Sequence, residues 1–341
     1  MLAFGGMLLH AELPLSRGGR PCANILVPAG DNATIKYAAE ELQTHVKMIS
    51  GAEMPLAKAD DKDSPAIVLS LGEQAFAADL KAIGDTDGYA IRQKANRVYI
   101  VAGKPKGILN GVYKLLFRNS DIIWARPDTG IGTIYTEDPN LTLKRTDFLD
   151  VPKFILRGWQ MSGGKGAYAS DVWQFRQGSN WSASYMRVSP ENSRFGCVKE
   201  AGGGHNLTGM FITGDKYFDK HPEYFPFFKG VRQDPRKVRA RTQLCFTNNE
   251  MTEEFKRILD GQVAENPDYE VYRIMIEDVW QCCECPECKK SIALPNGETV
   301  PFEDEAFRST QFFMWLNKIA AHFKSKYPGK RILTFGYFFT A

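Results

Sequence analysis

The sequence lacks the features that mark membrane-spanning, nucleic-acid-binding and disulfide-rich proteins. None of its 341 residues lies in an apolar run approaching the roughly 20 residues that cross a bilayer, so no membrane span is predicted. Its 43 basic residues stand against 40 acidic ones without a block of like charge, which argues against nucleic acid as a partner. Seven cysteines are too few for a disulfide scaffold, and a chain this long requires no metal or other cofactor to fold.

Several catalytic motifs are also missing. The sequence contains no GxSxG elbow and no HExxH. The glycine-rich stretch Ser162–Tyr168 lacks the spacing of a P-loop, and the GGGHN around His205 is not GxGxxG. These absences argue against serine hydrolase, zincin, P-loop and Rossmann functions.

Two features bear on the setting of the protein. Aromatic residues reach 12%, which suits stacking on sugar rings, although hydrophobic cores use the same residues. Residues 1–21 are interpreted either as a signal remnant or as a disordered start, because Leu2–Leu9 is apolar and Ala11 offers a small cleavage residue, but no basic segment precedes them. The first interpretation predicts a secreted or periplasmic protein.

Residues 22–148 alternate between strand-like and helix-like patterns and predict a small α/β domain. The predicted strands are Ala23–Pro28, Ala66–Leu71 and a hairpin of Tyr89–Arg92 with Arg97–Val101, and the predicted helices are Thr34–Ser50 and Gly107–Phe117. Thr34 is the expected N-cap of the first helix and Gly51 its stop. The charged, proline-containing segment Lys144–Lys153 is interpreted as the domain junction.

Residues 149–341 predict a second domain with about five strands. Strand-like runs occur at Phe154–Trp159, Met210–Ile212, Thr242–Phe246, Val271–Ile276 and Arg331–Phe338, with helical patterns at Ala169–Asn180, Glu250–Asn266 and Glu303–Tyr327. Such alternation favours a parallel sheet or a barrel. A complete eight-stranded barrel takes about 250 residues, so the sequence predicts a barrel that is truncated at its C-terminal end.

The most informative stretch is YRIMIEDVWQCCECPEC, residues 272–288. Its apolar strand ends on two carboxylates, Glu277 and Asp278, and Trp280 follows. Barrels display catalytic groups at the carboxyl ends of their strands, and glycoside hydrolysis uses paired carboxylates. Adjacent strand residues face opposite sides, so both carboxylates can face a substrate only if the strand has already ended. The alternative is an acidic loop that caps the next segment.

The cysteines that follow form two overlapping CxxC spacings. Cys283, Cys285 and Cys288 are candidate ligands of a structural zinc, but a closed zinc site needs four ligands. No second CxxC pair follows, and Cys245 ends another predicted strand. A local disulfide or a set of reduced thiols that stiffen the loop explains the same residues.

Other polar and aromatic residues at predicted strand ends are candidates for binding sugar. The glycines around His205 allow close approach of a ligand, and an arginine such as Arg157 can grip a carboxylate. Loop exposure, core-edge packing or helix capping explains the same residues without a ligand. The candidate substrate-binding residues are Arg157, Trp159, His205, Asn248, Asn249, Trp280 and Tyr337.

Several longer motifs resemble known carbohydrate-active families. YAAEELQTHVKMISGAEMPL, DGYAI, RVYIVAG and GILNGVYKLL resemble the N-terminal α/β domain of family 20 β-hexosaminidases and family 67 α-glucuronidases. HNLTGMF, KHPEYFPFFKG, QLCFTNNE and EDVWQCCECPEC resemble a large, mostly bacterial and mostly secreted family of glycoside-hydrolase-like proteins, whose members join that domain to a barrel-type domain of unassigned function.

The resemblance implies a (β/α)8 barrel with its site on the C-terminal face and a polysaccharide or oligosaccharide substrate, including substrates that contain uronic acids. By motif position, His205, Asn248, Asp278 and Tyr337 would line the site. Hexosaminidases carry an Asp-Glu pair, whereas the order here is Glu277-Asp278, so chemistry assisted by an acetamido group does not carry over.

We therefore expect an α/β protein, with a small α/β sandwich domain followed by a truncated (β/α)8 barrel, that hydrolyses a glycosidic bond. Asp278 is the candidate general acid or base, and Glu277 is its partner or the group that tunes its pKa. The alternatives are a non-catalytic carbohydrate-binding protein and a structural zinc-knuckle interaction module. The sequence predicts no oligomeric state.

Overall fold

The computed structural model describes residues 12–57, 64–128, 131–158, 167–181, 194–237 and 241–340. Trp159, the glycine-rich stretch 162–166 and the start of the chain before Glu12 lie outside these ranges. The chain divides into two compact units, Met1–Cys197 and Val198–Ala341. No helix in the described ranges has the length and apolar character that a membrane crossing requires.

The first unit is built on a six-stranded mixed sheet. Its strands are β1 (Asn24–Leu26), β2 (Leu56–Ala57), β3 (Ala66–Leu71), β4 (Tyr89–Lys94), β5 (Arg97–Ala102) and β6 (Phe148–Asp150), in the spatial order β6-β4-β5-β3-β1-β2. Strands β1, β2, β3 and β5 are parallel to their neighbours in that set, while β4 pairs antiparallel with both β5 and β6. The segment interpreted as a domain junction therefore contributes the edge strand β6.

Helices cover the sheet of the first unit. They are α1 (Ala33–Ser50), α2 (Ala77–Ile83), α3 (Pro105–Asn119) and α4 (Ala167–Arg176). The predicted stripe of α1 is buried from Ile35 to Ile49, and Gly51 ends the helix at a φ of 78° as expected. The expected N-cap, Thr34, is wrong, because Asn32 caps α1 by accepting bonds from the backbone N–H groups of Thr34 and Ile35.

The second unit contains a three-stranded parallel sheet. Its strands are β7 (Glu200–Ala201), β8 (Val271–Arg273) and β9 (Arg331–Leu333), with β8 in the centre. The long helices α5 (Asn249–Glu265) and α6 (Phe307–Lys326) pack against each other, with the ring of Phe255 centred 5.0 Å from that of Trp315. Burying side chains of this size stabilises the fold by roughly 1.5–3 kcal/mol each.

Several predicted strands of the second domain are absent from the described residues, and these residues form no closed barrel. Residues 154–158 form no strand, Met210–Ile212 overlaps the helical turn Leu207–Phe211, and Thr242–Phe246 is buried but joins no ladder. Short apolar runs also occur in buried loops and turns, so their presence does not identify a strand. The prediction of a strand was therefore wrong for all three segments.

The remaining elements are short. A four-residue helix spans Gly214–Tyr217, and 3-10 turns span Gln74–Phe76, Pro222–Tyr224, Glu287–Lys289 and Phe338–Thr340. Two-residue antiparallel pairs join Leu13–Pro14 to Thr142–Leu143, Ser16–Arg17 to Arg20–Pro21, Ile123–Trp124 to Thr133–Ile134, Phe227–Phe228 to Val231–Arg232, and Ile292–Ala293 to Thr299–Val300.

Candidate functional site

The two adjacent carboxylates lie beyond the carboxyl end of β8, the central parallel strand of the second unit. The chain continues from Arg273 through three buried apolar residues to Glu277, whose side chain is fully buried. Asp278, the next residue, is exposed. The strand has thus ended before the two carboxylates, and the pair consists of one carboxyl group inside the protein and one in contact with solvent.

The surroundings of Glu277 are asymmetric. Its Oε1 accepts hydrogen bonds from the backbone N–H of Thr208 at 2.7 Å and from the Thr208 hydroxyl at 3.1 Å. Its Oε2 is buried, and no group in the described ranges bonds it. Burial raises the pKa of Glu277, while the bonds from Thr208 and the nearby charges of Arg241 and His205 act in the opposite direction. The net upward shift favours a neutral carboxyl group that can hold a proton on Oε2.

Gln243 fixes the backbone that carries both carboxylates. Its side-chain oxygen accepts from the N–H of Glu277 at 3.2 Å, and its amide nitrogen donates to the carbonyl oxygens of Glu277 at 2.8 Å and Val279 at 2.9 Å. Gln243 is fully buried within the apolar run 242–246. A glutamine inside such a run was the sequence signal for this contact, and the sequence analysis missed it.

Asp278 is held by a residue from the next strand. The hydroxyl of Tyr337, beyond the end of β9, donates to Oδ1 of Asp278 at 3.1 Å. Lost hydration and the bond to the neighbouring carboxylate raise the pKa of Tyr337. The hydroxyl therefore remains protonated and acts as a donor to Asp278.

His205 lies on the loop after β7 and faces Tyr337. Its backbone has a φ of 54°, and its Nδ1 lies 2.8 Å from the carbonyl oxygen of Ile276. Because a carbonyl oxygen can only accept, Nδ1 carries the proton, and in the neutral ring Nε2 is left as an acceptor. The ring packs against Phe335 and Tyr337 at centroid distances of 5.3 and 5.9 Å. The structure thus brings three predicted residues together, His205, Asp278 and Tyr337.

Two residues that the sequence analysis did not predict hold the His205 loop. The buried Asn206 donates to the carbonyl oxygen of Arg273 at 2.9 Å and accepts from the N–H of Met275 at 2.8 Å, so it replaces a strand partner. The guanidinium of Arg241 donates to the carbonyl oxygen of His205 and lies across Gly209, where a Cβ would clash with it. Arg241 is exposed and supplies positive charge near Glu277.

Two exposed aromatic rings and one half-buried ring lie beside Asp278. Trp280 is 65% exposed and meets Phe338 edge to face at 4.6 Å, and Phe338 in turn meets Tyr337 at 4.4 Å. We call Trp280, Tyr337 and Phe338 the aromatic rim. Rings presented this way can stack on the apolar face of a sugar, and the sugar-binding role of Trp280 and Tyr337 stays a prediction.

The other candidate binding residues have local contacts of their own. Asn248 is the N-cap of α5, accepting from the N–H of Met251 at 2.8 Å, and Asn249 is the exposed first residue of that helix. Arg157 lies in the first unit, where it lines a cavity of about 360 Å³, pairs with Asp87 at 2.6 Å and donates to two backbone carbonyl oxygens. Trp159 lies outside the described residues.

The structure places Cys245 beside the three predicted ligands Cys283, Cys285 and Cys288. The Sγ atom of Cys245 lies 3.6 Å from that of Cys283, 3.8 Å from that of Cys285 and 3.7 Å from that of Cys288. All four sulfur atoms lie within 4.8 Å of one another, and all four residues are buried. The sequence placed Cys245 only at the end of another strand, because folding alone brings it to the 283–288 loop.

Two family models match the chain. Residues 129–341, more than half of the sequence, match the model described as "Domain of unknown function (DUF4838)". Residues 16–115 match the model described as "Glycosyl hydrolase family 67 N-terminus". These matches agree with the resemblance found in the sequence. No curated protein matches the chain.

The solved structures to which the chain is similar include glycosidases. A mutant Streptomyces plicatus beta-hexosaminidase in complex with its product GlcNAc is 15% identical, with a TM-score of 0.47 over 95% of this chain and 62% of that one. The 4-O-methyl-alpha-glucuronidase BtGH115A is 11% identical, with a TM-score of 0.49 over 92% of this chain and 41% of that one. A Bacteroides fragilis beta-N-acetylhexosaminidase is 14% identical, with a TM-score of 0.46 over 96% and 64% of the two chains. The chain thus spans less than two thirds of the length of each.

Proposed function

The chain belongs to the family described as "Domain of unknown function (DUF4838)", and from that premise we propose that it is a glycoside hydrolase acting on a poly- or oligosaccharide. The observation that carries the proposal is the pair of adjacent carboxyl groups in contrasting surroundings at the end of β8. Asp278 is exposed and Glu277 is buried. Glycosidases use two carboxyl groups whose environments assign them different protonation states.

Asp278 is the group that contacts the substrate in this proposal, because its carboxylate is accessible. It acts as general acid or base at the glycosidic bond, and the Tyr337 hydroxyl orients it. Glu277 is its positioning partner. Its Oε1 accepts from the backbone N–H of Thr208, and burial raises its pKa, which favours the neutral form of the group behind Asp278.

The surroundings of Asp278 support a sugar ligand. The aromatic rim supplies apolar faces, and Nε2 of His205 offers a hydrogen-bond partner for a hydroxyl group. Arg241 is exposed near Glu277 and can pair with the carboxylate of a uronic acid. We therefore include substrates that contain uronic acids. A (β/α)8 barrel is part of the same proposal, supported by three parallel strands with polar groups beyond their carboxyl ends.

The test compares Asp278→Asn with the parent protein on a panel of neutral and uronic-acid-containing glycans. New reducing ends are measured over time, and Asp215→Asn, which changes another exposed aspartate, serves as the control. Loss of an acid/base group lowers the rate by about 10²–10⁴-fold. An unchanged rate in Asp278→Asn, with cleavage detected in the parent, contradicts the assignment.

The second candidate function is glycan binding without hydrolysis. The exposed aromatic rim favours it, because rings alone can hold a sugar. This function predicts saturable binding of oligosaccharides, with no new reducing ends after long incubation of the parent protein. In that case Trp280→Ala weakens oligosaccharide binding. Neither Asp278→Asn nor the parent protein cleaves the glycan.

A further inference from the structure

Four of the five buried cysteines of the second unit are arranged as the ligands of a tetrahedral metal ion. We propose that Cys245, Cys283, Cys285 and Cys288 bind one structural zinc ion. Zinc–thiolate bonds of about 2.3 Å place the corners of a tetrahedron about 3.8 Å apart. The sulfur–sulfur distances from Cys245 are 3.6, 3.7 and 3.8 Å, whereas a disulfide bond requires about 2.05 Å.

Polar groups around the sulfur atoms suit thiolate ligands. The backbone N–H of Phe227 donates to Sγ of Cys283 at 3.2 Å, and Nη1 of Arg232 lies 3.8 Å from the same sulfur. The hydroxyl of Thr247 lies 3.1 Å from Sγ of Cys288. Four thiolates around Zn²⁺ carry a net charge of −2, so N–H donors and a guanidinium at the sulfur atoms stabilise the loaded site.

The cluster does not include every cysteine of the 282–288 segment. Cys282 is buried like the other four cysteines of the second unit, but it is not a member of the group whose sulfur atoms converge. Three ligands follow a C-x-C-x₂-C spacing, and the fourth comes from a segment 38 positions before Cys283. The cluster includes Cys283 but not the adjacent Cys282, and it also includes the distant Cys245. Such a specific set is expected of metal ligands rather than of cysteines that are merely neighbours in the sequence.

The ion would connect the two segments that hold the candidate site. Cys245 follows Gln243, whose side chain bonds the backbone of Glu277 and Val279. The other three ligands lie on the loop that begins after Asp278. Four protein ligands leave no open position for water or substrate, so the role is structural. The ion fixes the loop behind Asp278 and takes no part in bond cleavage.

The first measurement is the metal content of the full chain, purified without chelators and desalted. Elemental analysis by inductively coupled plasma mass spectrometry, at known protein concentration, is expected to give about one zinc ion per chain. X-ray absorption at the zinc edge is expected to show four sulfur neighbours at about 2.3 Å. Both measurements use the unmodified protein, so neither depends on whether a variant folds.

Two variants locate the site. Cys283→Ser is expected to lose the bound zinc, and Cys282→Ser, the matched control one residue away, is expected to keep it. In the parent protein, titration with a mercurial reagent is expected to release one zinc as four thiols react, measured with a zinc-sensitive dye. Prolonged treatment with a chelator is expected to lower Tm by about 5 °C or more.

Other results overturn the proposal. Less than about a fifth of an equivalent of zinc, with the four thiols free or joined in disulfides by mass spectrometry, excludes the site under that preparation. One equivalent of iron in place of zinc refutes the identity of the metal. Equal zinc loss from Cys282→Ser and Cys283→Ser refutes the ligand assignment. None of these outcomes depends on glycan hydrolysis.

Discussion

The hydroxyl of Tyr337 donates to Oδ1 of Asp278 at 3.1 Å, although the two residues lie 59 positions apart in the sequence. They follow β9 and β8, which pair in parallel register through Leu333 and Arg273. Parallel pairing brings the carboxyl ends of both strands to the same edge, and this brings the two side chains together. The bond fixes the orientation of the exposed carboxylate without burying it.

Tyr337→Phe tests the importance of this bond. The change keeps the ring that contacts His205 and Phe338 and removes only the donor. A hydrogen bond to a charged group contributes about 1.5–3 kcal/mol, so we expect kcat/KM for a cleaved glycan to fall by about 10-fold or more. Tyr135→Phe is the control, and an unchanged kcat/KM for Tyr337→Phe relative to the parent refutes the role.

Glu277→Gln tests the buried carboxyl group through stability. Burial raises the pKa of Glu277 above its ordinary 4.5, so the folded protein holds this proton more tightly than the unfolded chain. The contribution of Glu277 to stability therefore falls as pH rises from about 4.5 through the folded-state pKa, and it is constant above that value. Glutamine has no such proton. We expect the urea midpoint of Glu277→Gln to rise relative to that of the parent over this pH range.

The control for this measurement is Glu303→Gln, at an exposed glutamate. Its urea midpoint should follow that of the parent at every pH. If the difference between Glu277→Gln and the parent does not change between about pH 4.5 and 7.5, then Glu277 does not bind its proton more tightly in the folded state.

Trp280→Ala tests the aromatic rim. Because Trp280 is 65% exposed, its loss should change the free energy of unfolding by no more than about 0.5 kcal/mol. Stacking contributes binding energy in the ground state, so we expect KM or Kd for an oligosaccharide to rise several-fold while kcat changes little. Phe154→Ala, at a phenylalanine that is 74% exposed in the first unit, is the matched control. Equal effects of the two changes on sugar affinity would exclude the rim as the binding surface.

Local patterns predicted long amphipathic helices and the six-residue apolar strand of the first unit. Strand β3 matches its predicted bounds, Ala66–Leu71, and α5 lies within one residue of the predicted Glu250–Asn266. The runs Met210–Ile212 and Thr242–Phe246 are apolar for another reason. Their residues Phe211, Ile212, Leu244 and Phe246 pack in the hydrophobic core of the second unit without joining the sheet. Periodicity cannot distinguish these cases when a run is only three to five residues long.

The part of the candidate site that lies at the ends of strands could be predicted from the sequence, because catalytic groups tend to follow the carboxyl ends of parallel strands. That reasoning found Glu277, Asp278 and Tyr337, which lie beyond two neighbouring strands. It missed Arg241 and Gln243, because their contacts with the His205 loop and the Glu277 backbone depend on how the chain returns to the sheet. The glutamine inside the apolar run 242–246 marks a buried polar contact, but nothing in the sequence identifies the partner of either residue.

Two substitutions of Asn248 test whether this residue only caps helix α5 or also binds sugar. Its side chain accepts from the N–H of Met251 and caps α5, so Asn248→Ala should cost about 1 kcal/mol of stability. Asn248→Asp keeps an acceptor at the helix N-terminus, where negative charge is favourable, and should retain nearly full stability. If capping is the only role, Asn248→Asp also keeps the sugar affinity of the parent, measured by calorimetry. A loss of affinity in Asn248→Asp with unchanged Tm would show that the amide itself contacts the sugar.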